Sequence, residues 1–244
     1  MKPRIFQTPA DLFQAAAEEF SRRATAAIKD HGMFCVALSG GSTPENLFAL
    51  LASAKFPDIP WTKTFLFWGD ERYVPSDAPD SNFRMTKEAL LSKVSIPAEN
   101  VFRIKTEKSP ADEAAADYEQ TIREFFSLKP GELPRFDLTL NGIGTEGHTA
   151  SLFPDSPALQ ETTRLVVAPW IEKYKMFRIS LTLPVFNHAA CVLFLAVGKE
   201  KAAILQEVFE NPALELPAQR IQPSRGELLR FIDRQAAGNL KTAD

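Results

Sequence analysis

Val36-Ala37-Leu38-Ser39-Gly40-Gly41-Ser42-Thr43-Pro44 runs from an apolar segment through a loop of small residues to a proline that the first turn of a helix accepts. A buried strand, a tight loop and a helix in that order open a β–α unit, and the loop sits where such units bind ligands. Exposed backbone N–H groups, three hydroxyls and the positive end of the helix dipole would together cradle an anion, most simply a phosphate. Ser39, Gly40, Gly41, Ser42 and Thr43 are therefore candidate phosphate-binding residues. The same spacing also suits an ordinary strand-to-helix turn with Thr43 as helix cap. It is not a Walker loop, because no Gly-Lys-Ser/Thr follows.

Further short apolar runs stand at Thr64 to Trp68, Phe136 to Leu140, Phe177 to Leu183 and Cys191 to Val197. Helix-like segments alternate with them. Thr8 and Pro9 announce the first, with Leu12, Ala16, Phe20 and Ala27 at roughly helical spacing. Others are expected over Pro44 to Ala52, Asn82 to Lys93, Ala111 to Phe126, Lys199 to Phe209 and Glu227 to Ala236. The alternation predicts an α/β fold, a mostly parallel sheet with helices on both faces. No repeat, low-complexity tract or Gly/Ser linker divides the chain, so residues 1–244 are expected to form a single domain.

The composition is 45% hydrophobic and 24% charged, and the net charge is -3. That balance argues against nucleic acid or an anionic membrane as the main partner, either of which calls for a concentrated basic face. Any anionic ligand must be held by a few local basic groups. Cys35 and Cys191 both lie in apolar runs and read as buried thiols, which suits a reducing compartment. Ala189 to Val197, the longest apolar run, is far short of the ~20 residues that span a bilayer, and the amino terminus lacks the charged-then-apolar pattern of a leader. The expected location is cytoplasmic.

Three further segments carry chemistry. Trp68-Gly69-Asp70-Glu71-Arg72-Tyr73-Val74-Pro75 puts charges directly after an apolar strand, where open α/β sheets bind ligands; a solvated turn with a local ion pair is the alternative. Asn141 to Ser151 contains a literal G-x-G-x-x-G at Gly142, Gly144 and Gly147. The stretch after it is too short for the helix that would support a pyrophosphate, so a dinucleotide site is rejected. What remains is a glycine loop presenting His148 at a strand end, where an ordinary pKa of ~6.5 suits a general base. His31 reads as a helix-end residue, and His188 as part of a polar break before a strand. A fourth segment joins Arg178, in Arg178-Ile179-Ser180-Leu181-Thr182, to Val197-Gly198-Lys199-Glu200-Lys201-Ala202, where a strand ending in glycine and opening a lysine-containing helix could place Lys201 over an anion held by the first loop. Either lysine could also be merely solvated. No H-E-x-x-H, C-x-x-C, acidic calcium loop or G-x-S-x-G elbow occurs, so neither a metal, a cofactor nor a serine nucleophile is expected.

In this order the segments resemble the 6-phosphogluconolactonase family, a branch of the group that contains glucosamine-6-phosphate deaminases. The match runs through Leu38 to Pro44, Gly69 to Pro75 with Ser81, Asn82 and Met85, Gly142 to Phe153, Arg178 to Thr182 and Gly198 to Ala202. The resemblance implies a Rossmann-like sandwich without a nucleotide, and hydrolysis of a small sugar-phosphate lactone in the oxidative pentose phosphate pathway. It implies that the Ser39 to Thr43 loop holds the phosphate with Lys201 and Arg178, that His148 is the base, and that Asp70 and Arg72 line the site. Arg72 or glycine-loop N–H groups would stabilise the oxyanion. Glu146 stands where family members usually carry Asp before Gly-His, and the longer side chain bears on how His148 is oriented. Deaminases of the group resemble a pattern with glutamate five positions after the histidine; here that position is Phe153. An amino-sugar-phosphate isomerase or deaminase, and a non-catalytic sugar-phosphate sensor, are the competing readings.

Overall fold

The computed structural model describes residues 2–241. Strand β1 (Arg4–Phe6) leads into helix α1 (Pro9–His31), then β2 (Phe34–Leu38), α2 (Ser42–Leu51), β3 (Thr64–Trp68), β4 (Asp70–Arg72), α3 (Asn82–Thr86) and α4 (Ala111–Phe125). The second half contains β5 (Leu138–Gly142), β6 (Val166–Val167), β7 (Trp170–Ile171), β8 (Met176–Leu181), α5 (Leu183–His188), β9 (Cys191–Ala196), α6 (Ala202–Glu210), α7 (Pro217–Arg220) and β10 (Glu227–Asp233).

Thr8 and Asp11 start α1 through a reciprocal capping box, in which the Thr8 hydroxyl accepts from the Asp11 amide at 3.1 Å and the Asp11 carboxylate accepts from the Thr8 amide at 3.1 Å. Leu12, Ala16, Phe20 and Ala27 are buried, as their spacing requires. Every residue of β2 and of β9 is buried, the continuous apolar signature of strands covered on both faces.

Six parallel strands form the central sheet in the order β1-β10-β9-β5-β2-β3. From β2 the chain steps outward to β3, then crosses back so that β5, β9 and β10 extend the other side. The order thus reverses between β2 and β5, and a crevice opens at their carboxyl ends, where such sheets bind ligands. A smaller antiparallel sheet, β4-β8-β6 with β7 also paired to β8, lies beside it.

Three expectations are corrected. Glu227 to Ala236 is not a helix: Glu227–Asp233 forms β10, hydrogen-bonded to β9 on one side and β1 on the other. Its helix-forming residues are overruled by two strand edges that only the assembled sheet supplies. The strand around Arg178 belongs to the small antiparallel sheet, not the parallel one. Asn82 to Lys93 is not one α-helix; α3 gives way to a wider π turn over Lys87–Leu91.

Candidate active site

A cleft of about 670 Å³ opens at the carboxyl ends of β2, β5 and β9, and its lining takes in Ser39 to Thr43, Asp70, Arg72, His148, Arg178 and Lys201. These residues come from separate segments of the chain. The crevice between β2 and β5, the turn after β9 and the small sheet converge on one volume.

The loop after β2 reaches it through Gly41, which sits before α2 with φ 98°, a left-handed conformation that glycine adopts without a Cβ penalty. Thr43 is not the helix cap: it lies in the first turn, with Gly41 at the cap position and no side-chain cap bond. The α2 amide end and the hydroxyls of Ser42 and Thr43 therefore remain available to an anion, while the Ser39 hydroxyl makes a long 3.5 Å contact with the Gly40 carbonyl.

The Asp-Glu-Arg run is a strand, and alternation along it divides the charges. Asp70 and Arg72 line the cleft, while Glu71 is buried toward α3. There its carboxylate accepts from the amides of Arg72 (2.7 Å), Asn82 (2.7 Å) and Phe83 (2.8 Å) and from the Ser81 hydroxyl (3.1 Å). Burial pushes the Glu71 carboxyl up against the pull of these amides. Glu71 is thus the anchor of α3. Asp70 accepts a 2.6 Å hydrogen bond from the Ser151 hydroxyl, which ties the glycine loop to the small sheet.

Arg72 stands directly across from Arg178 in the β4–β8 register. Like charges so placed repel, and a cleft that keeps them suits an anion. Arg178 is buried, its Nε has no hydrogen-bond partner, and its guanidinium lies 5.1 Å from the Tyr174 ring centroid. Burial and then Arg72 lower its pKa, against the pull of Asp70.

His148 is packed on both ring faces. A Cβ at Gly144 would fall 1.9 Å from its Cε1, so only glycine fits there, and Phe153 stacks on it at 4.0 Å between centroids and 22° between planes. Its Nδ1 lies 3.1 Å from Glu146 Oε2. Burial would raise the Glu146 carboxyl, but the Lys173 ammonium bonded to it and the nearby imidazole hold it down at about 2. The group is therefore an ionised, acceptor-only carboxylate, so Nδ1 of the neutral ring must carry the proton and Nε2 keeps its lone pair. Burial lowers the His148 pKa, aided by Lys201 and opposed by Glu146 and Asp70, which favours that neutral ring.

Lys201 donates to the Ile143 carbonyl at 2.9 Å, so its ammonium is tethered to the glycine loop at the cleft wall. The amides of Gly144 and Gly147 are engaged within the turn, with the His148 and Gly144 carbonyls at 2.8 and 2.9 Å. Arg72 Nη1 donates to the Asp80 carbonyl at 2.6 Å, but a guanidinium carries five N–H donors, so Arg72 and Arg178 keep donors for an oxyanion. His31 and His188 lie elsewhere, bonded to Asp137 and to the Pro134 carbonyl. Among the described residues no group of His, Cys, Asp and Glu could hold a metal ion, and no helix is long and apolar enough to cross a membrane.

Asn82, whose buried Oδ1 has no partner, and Ser151 belong to the matched segments without a role of their own there, and both line the cleft. Tyr174 also lines it, and Lys173 reaches Glu146 from across 27 positions of sequence; neither had a local signal, and only the fold brings them in.

The family model described as glucosamine-6-phosphate isomerases/6-phosphogluconolactonase matches residues 7–230. The chain belongs to this family. It is 44% identical over 216 residues to the 6-phosphogluconolactonase of Nostoc sp., covering 88% of each chain. With that of Synechocystis sp. the identity is 41% over 232 residues and 94% of each. Among solved structures, 6-phosphogluconolactonase from Trypanosoma cruzi superposes with a TM-score of 0.87 at 31% identity, covering 98% of this chain and 97% of that one. The family's α/β fold, with a mostly parallel central sheet, is the one described above.

Proposed function

We propose that this member of the family is a 6-phosphogluconolactonase, which hydrolyses 6-phosphogluconolactone to 6-phosphogluconate in the pentose phosphate pathway. The observation that carries the reading is His148: a neutral imidazole with Nδ1 committed to an ionised carboxylate, at the mouth of a sheet crevice that also presents a phosphate-type loop. The names of relatives at 41% and 44% identity support the same substrate.

In this mechanism His148 Nε2 takes a proton from water as the oxygen adds to the lactone carbonyl. Arg72 stabilises the oxyanion of the tetrahedral intermediate. Collapse breaks the bond to the ring oxygen, which leaves as a hydroxyl after the imidazolium returns the proton. The loop Ser39 to Thr43, with Lys201 and Arg178, holds the phosphate and so positions the reacting carbon. Asp70 orients the site through Ser151. Phe153 against the imidazole face favours hydrolysis over isomerisation, because an apolar ring occupies the position where a ring-opening carboxylate would act.

Freshly prepared 6-phosphogluconolactone should release acid well above its spontaneous rate when the protein is added, and glucosamine 6-phosphate should release no ammonia. Sustained ammonia release without lactone hydrolysis would reverse the reading. Binding of 6-phosphogluconate without turnover would make the protein a sensor.

A further inference from the structure

The hold on His148 begins outside the cleft. The turn Glu172–Tyr174 joins β7 to β8 at the surface, and two of its side chains reach inward. Lys173 Nζ binds Glu146 Oε1, while Glu146 Oε2 faces His148 Nδ1, so this carboxylate bridges an ammonium and the imidazole. Tyr174 meets Phe153 edge-on at 6.0 Å, and Phe153 stacks on His148. Lys175, one residue beyond the turn, pairs with Glu172 instead.

We infer that Lys173 is a positioning residue for lactone hydrolysis: by holding one oxygen of Glu146 it keeps the other aimed at His148 and limits how strongly the carboxylate favours the imidazolium. The inference rests on the reading of His148 as base and adds a residue to it. A glutamate has one more rotatable bond than an aspartate, so ordering its carboxylate against a ring costs more side-chain entropy, and a second anchor offsets that cost. Glu146 is only part-buried, its side chain 31% exposed, so burial alone does not fix it.

The charges facing His148 are Glu146 from its own loop, Asp70 from β4 and Lys201 from the turn after β9. Arg72 and Arg178 lie in the same cleft, with Tyr174 beside Arg178. Lys173 stands one step behind that set, on the far oxygen of Glu146, and the two charges act in opposite senses. Removing the ammonium takes away a positive charge that opposes the imidazolium and raises the His148 pKa. Removing the carboxylate charge lowers it. A loss of packing would not produce two shifts of opposite sign.

The test is acid release from fresh 6-phosphogluconolactone as a function of pH for Lys173→Met, Lys173→Arg, Lys175→Met, Glu146→Gln and the Lys173→Met/Glu146→Gln double variant. Lys173→Met should lower kcat about two- to fivefold, the scale of one half-exposed ion pair, with KM within about twofold and the acid limb moved to higher pH. Glu146→Gln should move the limb to lower pH. Lys173→Arg should restore most of the rate, Lys175→Met should match the parent, and the double variant should be no slower than Glu146→Gln alone. Equal losses from Lys173→Met in both backgrounds would overturn the inference. So would a Lys173→Met protein indistinguishable from Lys175→Met while His148→Asn is inactive, and in that case the base itself would stand. An active His148→Asn would remove the base and the inference with it.

Discussion

Strand β5 carries a histidine–carboxylate pair at each end. Before its first residue, Asp137 meets His31 at 2.9 Å; in the loop after its last, Glu146 meets His148 at 3.1 Å. By distance and residue type the two pairs are almost interchangeable. Their surroundings are not. The His31 side chain is 43% exposed at the end of α1, and Asp137 also accepts the Cys35 amide at 2.8 Å, so that pair ties a helix end to the start of β2. The His148 side chain is 20% exposed and opens on a cleft that also holds Arg72, Arg178 and Lys201. A histidine beside a carboxylate is not in itself a catalytic signature. The end of the parallel strand on which it stands, and what else converges there, separate a tether from a candidate base.

The sharpest way to break this contrast is to make the same change at both ends. His148→Asn keeps polarity and approximate size but cannot take the proton, and kcat should fall by roughly two to four orders of magnitude. His31→Asn should leave kcat as it was. A folded His148→Asn protein with near-parental turnover would move the role to a carboxylate, with Asp70 or Glu146 next in line.

A smaller effect is expected from Lys201→Ala. Its ammonium should meet the phosphate equally before and during the reaction, so KM should rise about tenfold or more with modest change in kcat, as the loss of one charged hydrogen bond implies. Unchanged substrate saturation would take Lys201 out of the phosphate site.

The pH profile sharpens the comparison further. Burial favours the neutral His148 ring, so its proton leaves at lower pH than the ~6.5 of free histidine. Activity should therefore be full above that lowered pKa and fall as the pH drops through it. The acid limb should survive substitution of His31 or His188. If it disappears with His31, the wrong end of β5 has been assigned the chemistry.

The smallest effect is on stability. His31→Ala removes a pair that is about half exposed on the histidine side, and denaturant unfolding should show a loss of less than about 1 kcal/mol. A larger loss would mean that the tether at the amino end does more for the fold than its exposure suggests.

Local features of the chain decided a good deal without help. The capped start of α1, the apolar run of β2, the small-residue loop behind it and the glycine loop around His148 could all be read from the sequence. Each is governed by contiguous residues: hydrophobic period, a capping side chain, the backbone freedom of glycine. The phosphate-type loop, Asp70, Arg72, His148 and Lys201 were therefore nameable in advance, Arg178 followed from the family resemblance, and all of them line one cleft. Tertiary structure alone decided the remainder. Glu227–Asp233 is a strand because β9 and β1 offer it two edges, although its own residues would also suit a helix. Glu71 faces α3 rather than the cleft because alternation in β4 takes its direction from the sheet partner. Lys173 reaches Glu146 because the β7–β8 turn folds back over the glycine loop. Pairing across sheet edges and charge placement between distant segments depend on loop closure and shared burial, and those belong to the whole chain rather than to any window of it.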